Sequence, residues 1–475
     1  MKILLAASEA APYVKTGGLG DVLQALPAEL SRIPNNELVL FLPYYRRIKY
    51  NPEIETTFVG SFSIHLSWRE QYVGLFQLKS RRKKLRVYFI DNEYYFGGRD
   101  SIYSDYDDGE RFAYFSKAIL ACMDYIGFDP DVIHCHDWQT ALVPVYFRAN
   151  HQQDHPNTRL VFTIHNVEYQ GKANMPFFRD TLGLPDEYEG ILTFDGCLNF
   201  MKGAILTSDR VTTVSQTYAQ ELQYPYYAHG LDGILSGCGD RLCGITNGID
   251  IDVYNPMKDS ALVANFSAAK PDGKKTNKAA LQEELGLDVA DDVPILAMVT
   301  RLAGHKGIDL LTYILHRLME RRVQLVIVGT GEYQYEHVLS NIAREYPGKF
   351  SMNLRFDPAL ASRVYAGADL YLMPSKSEPC GLSQLIAMHY GTIPVVNETG
   401  GLKDTVPAYN PETGEGRGFS FQSYNGDDFL GAIDRAIDLY YNDKLAWAAL
   451  MKQDMTFDCS WKTPAQRYME LYASL

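Results

Sequence analysis

A glycine-rich turn that begins with a lysine lies close to the N-terminus. The run Lys15-Thr16-Gly17-Gly18-Leu19-Gly20-Asp21 separates a short apolar segment from a stretch with helical periodicity. Glycines let the backbone approach a ligand closely, and the free amides of a helix N-terminus favour an anion such as phosphate. Leu23 stands where the dinucleotide fingerprint requires glycine, and the chain has no Gly-x-x-x-x-Gly-Lys run. A tight turn that binds nothing is therefore an equally good interpretation at this point.

Two cations lie five residues apart on a later loop, within residues 300–307. Arg301 supplies a planar fork and Lys306 a compact charge, and two such groups at the end of a strand can converge on a diphosphate. The alternative is a solvated loop. The apolar run before the pair and the helical pattern after it favour the diphosphate site.

A glutamate lies in a third segment of this kind, residues 374–383. Glu378 is predicted at the carboxyl end of a strand, with the amides of Gly381, Leu382 and Ser383 facing outward at a helix N-terminus. A carboxylate beside such amides would repel a bare phosphate, so Glu378 is predicted to accept hydrogen bonds from sugar hydroxyls. The alternative is a glutamate that only favours the start of the helix.

Two histidine motifs end strand-like runs in the first half of the chain. His134 and His136 share one strand face, but no third ligand has the spacing of a metal site, so we predict that no metal is bound. A polar wall with an aromatic edge, suited to sugar hydroxyls, would be formed by Asp137, Trp138, His165 and Asn166.

The composition favours a large enzyme over a nucleic-acid or membrane protein. The chain has 475 residues and a net charge of −13, which repels phosphate backbones and anionic membranes. No run approaches the roughly 18 consecutive apolar residues of a membrane span. Seven cysteines with no Cys-x-x-Cys spacing indicate a reducing compartment. We therefore expect a cytoplasmic protein that binds neither nucleic acid nor membrane.

Short apolar runs alternate with helical patterns almost from end to end, which is typical of parallel sheets covered by helices on both faces. A chain of this length is too long for one core. The α/β alternation predicts two Rossmann-like domains, residues 1–250 and 293–455, joined by a polar connection at 251–292. Residues 456–475 are predicted to form a helix that docks on the N-terminal domain. Ligands of such sheets bind at the carboxyl ends of the strands, so the active site is expected in the cleft between the domains.

In this order the motifs resemble those of bacterial-type glycogen (starch) synthases, which are retaining glycosyltransferases with two facing Rossmann-like domains of the GT-B type. The resemblance spans almost the whole chain and is most specific in Lys15-Thr16-Gly17-Gly18-Leu19 and Glu378-Pro379-Cys380-Gly381-Leu382. This chain departs from the family pattern at His305, where glutamine is usual, and at Lys376-Ser377, where Arg-Phe is usual.

The resemblance implies transfer of glucose from ADP-glucose, or as second choice UDP-glucose, to the non-reducing end of an α-1,4-glucan with retention of configuration. It implies no cofactor, substrates that are a nucleotide sugar and an α-glucan, and no particular oligomeric state. The implied catalytic residues are Glu378, Arg301, Lys306, His165 and Asp137. The implied nucleotide-sugar contacts are Lys15, Gly18, Asn247, Phe356, Cys380, Gly381, Leu382 and Ser383. The implied residues on the sugar and acceptor side are Glu9, Tyr95, Trp138 and Asn166.

Within this reading, Arg301 and Lys306 neutralise the departing diphosphate, and Phe356 stacks on the base. Retaining hydrolases use two carboxylates about 5 to 5.5 Å apart, one of them as a nucleophile. A synthase must avoid hydrolysis. Our hypothesis is therefore that no side chain attacks the sugar, that the leaving diphosphate takes the acceptor proton on the same face, and that domain closure excludes water.

Three other functions stay open at this point. A glucan phosphorylase shares the two-domain design but needs pyridoxal phosphate, and such enzymes are usually much longer. A nicotinamide oxidoreductase is disfavoured by the failed fingerprint. A carbohydrate-binding protein without activity is disfavoured by the intact set of Arg301, Lys306 and Glu378.

Overall fold

The structure, a computed structural model, describes residues 1–80, 82–355 and 357–475. In this described part the chain forms two compact units. Unit 1 consists of Met1–Asn247 together with Trp461–Leu475, and unit 2 consists of Gly248–Ser460. Each unit is a sheet of mainly parallel strands with helices between them.

The main sheet of unit 1 has the strand order β12-β11-β7-β6-β1-β2-β5-β4-β3. Its central strands are almost continuous apolar runs, because helices cover both faces of a parallel sheet. A small antiparallel sheet has the order β8-β10-β9. The strands of unit 1 are β1 (Lys2–Ala6), β2 (Glu37–Pro43), β3 (Thr56–Leu66), β4 (Arg69–Leu78), β5 (Leu85–Asp91), β6 (Val132–His136), β7 (Arg159–Ile164), β8 (Lys172–Ala173), β9 (Thr193–Phe194), β10 (Cys197–Asn199), β11 (Arg210–Thr213) and β12 (Leu242–Gly244).

The helices of unit 1 connect these strands, and two of them begin with a polar side-chain cap. Asn199 accepts a hydrogen bond from the amide of Lys202, and Ser215 accepts one from the amide of Tyr218, so both side chains act as N-caps. The helices are α1 (Gly18–Arg32), α2 (Arg46–Lys49), α3 (Asp108–Tyr125), α4 (Leu142–Asn150), α5 (Glu189–Leu192), α6 (Phe200–Thr207), α7 (Gln216–Glu221), α8 (Pro225–Ala228) and α9 (Asp232–Ser236).

The antiparallel hairpin of β3 and β4 is an element that the sequence analysis did not place. Its two strands are joined at Ser67 and Trp68, and Ser67 has a positive φ of 54°. The hairpin lies at the edge of the sheet and has many exposed residues on β3. Its apolar residues therefore form a weaker pattern than those of the buried central strands.

Unit 2 has an all-parallel sheet with the order β15-β14-β13-β16-β17-β18. Its strands are β13 (Ile295–Val299), β14 (Gln324–Val328), β15 (Phe350–Asn353), β16 (Leu370–Met373), β17 (Ile393–Asn397) and β18 (Phe419–Phe421). Its helices are α10 (Gly273–Glu284), α11 (Ile308–Met319), α12 (Tyr333–Glu345), α13 (Pro358–Gly367), α14 (Ser383–His389), α15 (Gly400–Thr405), α16 (Gly426–Asn442) and α17 (Lys444–Thr456).

The segment 251–292, predicted as a connection between domains, lies within unit 2. Its helix α10 is anchored there by Lys274, whose buried Nζ donates hydrogen bonds to the carbonyl oxygens of Ala366 and Tyr390, both at 3.0 Å, and to Oγ1 of Thr392 at 2.8 Å. Lys274, one of the lysines that make this segment polar in sequence, thus supports the packing of unit 2.

The strand order reverses once along each main sheet, at the first strand of the unit. In unit 1, β1 lies between β2 and β6, and in unit 2, β13 lies between β14 and β16. Crossovers leave these first strands in opposite directions, which opens a crevice at their carboxyl ends. Loops that follow β1, β6, β13 and β16 are therefore placed to hold a ligand.

The last helix, α18 (Lys462–Ala473), belongs to unit 1. Its side chains of Ala465, Tyr468 and Tyr472 are buried in the core of that unit. In the described part of the chain, no helix combines the length and the apolar character needed to cross a membrane.

Tyr468→Ala should destabilise unit 1, because Tyr468 is 1% exposed and its truncation leaves a cavity in the core. We expect a loss of about 3 kcal/mol in the free energy of unfolding, measured by urea unfolding. Arg467→Ala, an exposed neighbour on the same helix, is the control and should change stability little. Equal stability of both variants would show that α18 is not part of the core of unit 1.

Candidate functional site

In unit 2, two loops at the reversal point are tied to each other through the backbone. The loop after β13 ends in a short 3-10 turn, Gly304–Lys306, and then in Gly307 with a φ of 74°. A Cβ on Gly307 would lie 2.1 Å from the carbonyl oxygen of Pro374, so only glycine permits this close approach. The amide of Lys376 also donates to the carbonyl oxygen of His305 at 2.9 Å. The loops after β13 and β16 are thereby held together.

These loops bring Lys306 and Glu378 into an ion pair. Nζ of Lys306 lies 2.7 Å from Oε2 of Glu378, and the hydroxyl of Ser375 donates to the same oxygen at 3.0 Å. Ser375 is itself fixed, since Nδ2 of Asn397 donates to its carbonyl oxygen at 2.9 Å. One carboxylate oxygen is thus held by two donors, and in the described part of the chain Oε1 has no protein donor.

The pair lines a small cavity of about 50 Å³ at the ends of β13 and β16. Its wall also includes Gly381, Leu382 and Ser383, which are partly exposed and precede or begin α14. Cys380 is buried and does not line this cavity. That Gly381, Leu382 and Ser383 bind a nucleotide sugar together with Glu378 stays a prediction.

Gln384 supports the same segment from behind and was not identified in the sequence. Its Nε2 donates to the carbonyl oxygens of Cys380 at 3.0 Å and Gly381 at 2.9 Å, and to Oγ1 of Thr405 at 3.1 Å. Ser375 and Asn397 were missed as well. Their signal is weak, because each acts on the backbone or on another side chain and follows no spacing rule.

Arg301 differs from Lys306 in its surroundings. Its side chain is exposed, and its guanidinium has no hydrogen-bond or ion-pair partner among the described residues. The two cations therefore do not share one partner: Lys306 is bound to a carboxylate, and Arg301 is available to an incoming anion.

In unit 1, the glycine-rich turn after β1 is held by Glu9. Its carboxylate accepts hydrogen bonds from the amide of Thr16, from Oγ1 of Thr16 at 3.1 Å and from the hydroxyl of Tyr103 at 3.0 Å. Burial raises the pKa of Glu9. Glu9, predicted on the sugar side, is thus a support of the turn, and Tyr103 is a support that the sequence analysis missed.

The turn itself presents exposed backbone at the start of α1. Gly17 and Gly18 are exposed, and a Cβ on Gly17 would meet no atom within 4 Å. Nζ of Lys15 lies 2.6 Å from Oδ1 of Asp21 and is partly exposed. The turn and the lysine are therefore accessible to solvent, and anion binding there stays a prediction.

Asp137 follows β6 in a strained backbone conformation. Its φ of 59° and ψ of 177° lie in a region that residues other than glycine rarely occupy, at a cost of about 1 to 3 kcal/mol. Its Oδ1 accepts hydrogen bonds from the amides of His165 at 2.7 Å and Asn166 at 3.4 Å. Burial raises the pKa of Asp137 to about 7. The structure thus brings Asp137, His165 and Asn166 together.

Three histidines form a buried row beside Asp137. The rings of His134 and His136 are in contact, with centroids 4.1 Å apart and planes tilted by 37°, and Nδ1 of His136 lies 3.0 Å from Nε2 of His165. Nδ1 of His134 is 2.7 Å from the hydroxyl of Tyr472 on α18. Burial lowers the pKa of His134 and of His165 to about 3, so both rings are neutral at pH 7. No group of three or more metal-ligating side chains that could hold a metal occurs within residues 1–80, 82–355 and 357–475.

The remaining predicted residues differ in accessibility. Trp138 is partly buried and packs edge-to-face on Phe112. Tyr95 is fully buried, and its hydroxyl donates to Glu110 at 2.6 Å, so it cannot contact a ligand in this structure. Asn247 is buried, and its Oδ1 has no hydrogen-bond partner in the described part of the chain. Phe356 lies outside the described residues.

Comparisons with known proteins cover the whole chain. Residues 2–237 match the family model described as starch synthase catalytic domain, and residues 284–448 match the model described as glycosyl transferases group 1. The chain is 48% identical to glycogen synthase of Bacillus cereus (strain B4264) over the full length of both chains. It is 46% identical to glycogen synthase of Geobacillus stearothermophilus, with 98% of that relative covered.

Two solved structures are similar to this chain. The catalytic domain of starch synthase IV from Arabidopsis thaliana, bound to ADP and acarbose, has a TM-score of 0.91 at 34% identity, over 100% of this chain and 98% of that one. Sucrose-phosphate synthase from Thermosynechococcus elongatus has a TM-score of 0.62 at 17% identity, with the same coverage, and supports the fold alone.

Asp137→Asn should remove a pH-dependent loss of stability. Because the pKa of Asp137 is raised from 3.8 to about 7, the folded chain binds a proton more tightly than the unfolded chain between these values. The free energy of unfolding therefore falls as pH rises through that range. Asparagine does not ionise, and its Oδ1 can still accept the amide of His165. Asp137 is partly exposed, which reduces the effect. We therefore expect the free energy of unfolding of the variant, relative to that of wild type, to rise by about 2 kcal/mol from pH 4.5 to pH 8.

Urea unfolding at the two pH values measures this difference. At each pH, the free energy of unfolding of wild type is subtracted from that of the variant, which cancels the contributions of the other titrating groups. A variant whose stability relative to wild type is the same at pH 4.5 and pH 8 would contradict the raised pKa.

Proposed function

Because this chain belongs to the glycogen and starch synthase family of glycosyltransferases, we propose that its donor site is centred on the ion pair between Lys306 and Glu378. The fold predicted from the sequence, two Rossmann-like domains of the GT-B type, is confirmed by the solved starch synthase. The chain is a glucosyltransferase of the glycogen synthase type, which confirms the predicted activity. The proposed reaction is transfer of glucose from ADP-glucose, or UDP-glucose, to the non-reducing end of an α-1,4-glucan with retention.

The observation that carries the proposal is the 2.7 Å contact between Nζ of Lys306 and Oε2 of Glu378 at the reversal point of the sheet. When the sugar leaves, negative charge develops on the diphosphate. Lys306 would bridge that diphosphate and Glu378, and the exposed guanidinium of Arg301 would bind it as a fork. Such preorganised charges stabilise the transition state more than the ground state.

Glu378 would act on the sugar through its other oxygen. Oε2 is already held by Lys306 and Ser375, whereas Oε1 has no protein donor among the described residues. A glucose hydroxyl is a suitable donor for it. The amides of Gly381 to Ser383 would contact phosphate or sugar oxygens at the start of α14.

We propose that unit 1 also carries residues that contact substrate. The exposed Lys15 and the amide of Gly18 would bind phosphate or sugar oxygens at the start of α1. Asp137, His165 and Asn166 lie together at the ends of β6 and β7 and would bind sugar hydroxyls. Glu9 supports the glycine-rich turn from within the fold.

We keep the hypothesis that no side chain forms a covalent bond with the sugar. Oε2 of Glu378 is held by a lysine and a serine, and Asp137 accepts two backbone hydrogen bonds while burial raises its pKa to about 7, so neither has the environment of a free carboxylate nucleophile. The bond from C1 to the diphosphate breaks while a bond from C1 to the acceptor oxygen forms on the same face. The acceptor proton passes to a diphosphate oxygen.

The cofactor, partner and location parts of the proposal follow the sequence expectations. Because protein cations would neutralise the charge of the diphosphate, we propose that the reaction needs no added metal. Turnover should therefore persist in the presence of a chelator. We propose a cytoplasmic location, which is supported by the sparse cysteines.

Lys306→Met and Glu378→Gln should each lower kcat by about 10² to 10³, because each breaks the ion pair and removes charge stabilisation in the transition state. The assay measures nucleotide release and product length with ADP-glucose or UDP-glucose and a maltooligosaccharide. Arg321→Met is the matched control, since Arg321 forms a 2.8 Å ion pair with Asp434 elsewhere in unit 2. We expect it to retain wild-type turnover.

The elongation assay, an absorbance spectrum and a thermal-stability measurement distinguish the other functions. Wild-type protein that binds glucan but never elongates it would indicate a binding protein without activity. A visible absorbance band of pyridoxal phosphate would indicate a phosphorylase, and thermal stabilisation by NAD but not by ADP would indicate an oxidoreductase.

Intact-mass spectrometry with a slow, fluorinated ADP-glucose analogue tests the absence of a nucleophile. We expect the mass of the protein to stay unchanged during turnover. A glucosyl adduct that maps to Glu378 or Asp137 would overturn the same-face hypothesis while leaving the donor site intact.

A further inference from the structure

The ring of His165 is in contact with a second, fully buried histidine. Nε2 of His165 lies 3.0 Å from Nδ1 of His136, and His136 is 0% exposed. His165 is partly exposed, and in the described part of the chain its Nδ1 has no partner. Nε2 is therefore used within the protein, and Nδ1 is the nitrogen that a ligand can reach.

A hydrogen bond between two neutral imidazoles needs one N–H and one lone pair. Burial lowers the pKa of both rings, which keeps each neutral with a single N–H. Either His136 donates from Nδ1 to Nε2 of His165, or His165 donates from Nε2 to Nδ1 of His136. The two arrangements leave opposite groups at Nδ1 of His165, an N–H in the first and a lone pair in the second.

The other nitrogen of His136 decides between them. Nε2 of His136 is buried and has no hydrogen-bond partner among the described residues. In the second arrangement this atom carries an N–H that donates to nothing, and buried orphan N–H groups are rare and costly. In the first arrangement it carries only a lone pair, and the N–H of His136 is satisfied by His165.

We propose that His136 is a positioning residue that donates its Nδ1–H to Nε2 of His165 and so fixes His165 as the Nδ1–H tautomer. His165 then offers a hydrogen-bond donor to an oxygen of the glucosyl group and has no lone pair there to act as a base. This inference rests on the proposed function for the role of His165 in sugar binding. It agrees with the transfer of the acceptor proton to the diphosphate rather than to a side chain.

His134 holds the ring of His136 without taking part in this hydrogen bond. Its ring contacts that of His136, and it binds the hydroxyl of Tyr472 through Nδ1 and that of Thr163 through Nε2 at 2.6 Å. Tyr472→Phe removes a buried hydroxyl from this row but leaves the contact between His136 and His165. It is the matched control.

Nuclear magnetic resonance of the full chain labelled with ¹⁵N in its histidines tests the tautomer directly. Imidazole ¹⁵N shifts distinguish a protonated from an unprotonated nitrogen, and single variants assign the signals. We expect wild-type His165 to be protonated at Nδ1 and His136 at Nδ1. A wild-type His165 protonated at Nε2 would overturn the proposal, whatever the variants do.

Turnover with ADP-glucose separates positioning from packing. His136→Asn keeps an N–H donor close to the position of Nδ1, whereas His136→Leu removes it. We expect His136→Leu to lose about tenfold in kcat/KM for the donor, equivalent to about 1.4 kcal/mol. His136→Asn should stay within about threefold of wild type, and Tyr472→Phe should match wild type. Equal losses in the Asn and Leu variants, with both folded, would show that His136 only fills space.

Failure of this inference differs from failure of the proposed function. Full turnover by His165→Ala would remove His165 from the proposed site. The wild-type spectrum would still test the tautomer of His165 independently of that result. If His136→Leu does not fold, the wild-type spectrum and the Asn variant still decide.

Discussion

In each unit the order of the strands reverses at the first strand, and this constraint places the candidate functional residues of both units. At β1 and at β13 the sheet order reverses, so the loop after that strand and the loop after the neighbouring β6 or β16 face the same crevice. In each unit the first loop carries a lysine and the second an acidic residue. Lys306 and Glu378 are the pair in unit 2, and Lys15 and Asp137 occupy the corresponding loops of unit 1.

The two units use this arrangement differently. In unit 2 the cation and the carboxylate bind each other at 2.7 Å, which keeps both charges compensated. In unit 1 Lys15 is bound to Asp21 instead, and Asp137 depends on backbone amides, so burial raises its pKa to about 7. The neutral histidines beside it complete a region of low charge. Such a surface suits hydroxyl groups, whereas the loops of unit 2 suit phosphate.

The sequence was sufficient for those parts of the molecule that depend on local pattern. Apolar runs located the central strands, and a strand followed by glycine or by a charged loop located Lys306 and Glu378. It was insufficient where the function of a side chain depends on what packs against it. Glu9 and Tyr95 were expected to face the sugar, but their partners Thr16 and Glu110 hold them within the fold. No local pattern could show that Asp137 takes a positive φ or that Gln384 braces the loop that contains Gly381.

Unit 1 is assembled from two stretches of chain that are far apart in sequence, because α18 follows the whole of unit 2. During synthesis from the N-terminus, the ribosome must complete unit 2 before the last strip of the core of unit 1 emerges. Until then the buried His134 lacks the hydroxyl of Tyr472, and the apolar face that receives Tyr468 stays open to water. A nascent chain thus has an unfinished core in unit 1 until α18 has been synthesised and has packed against it.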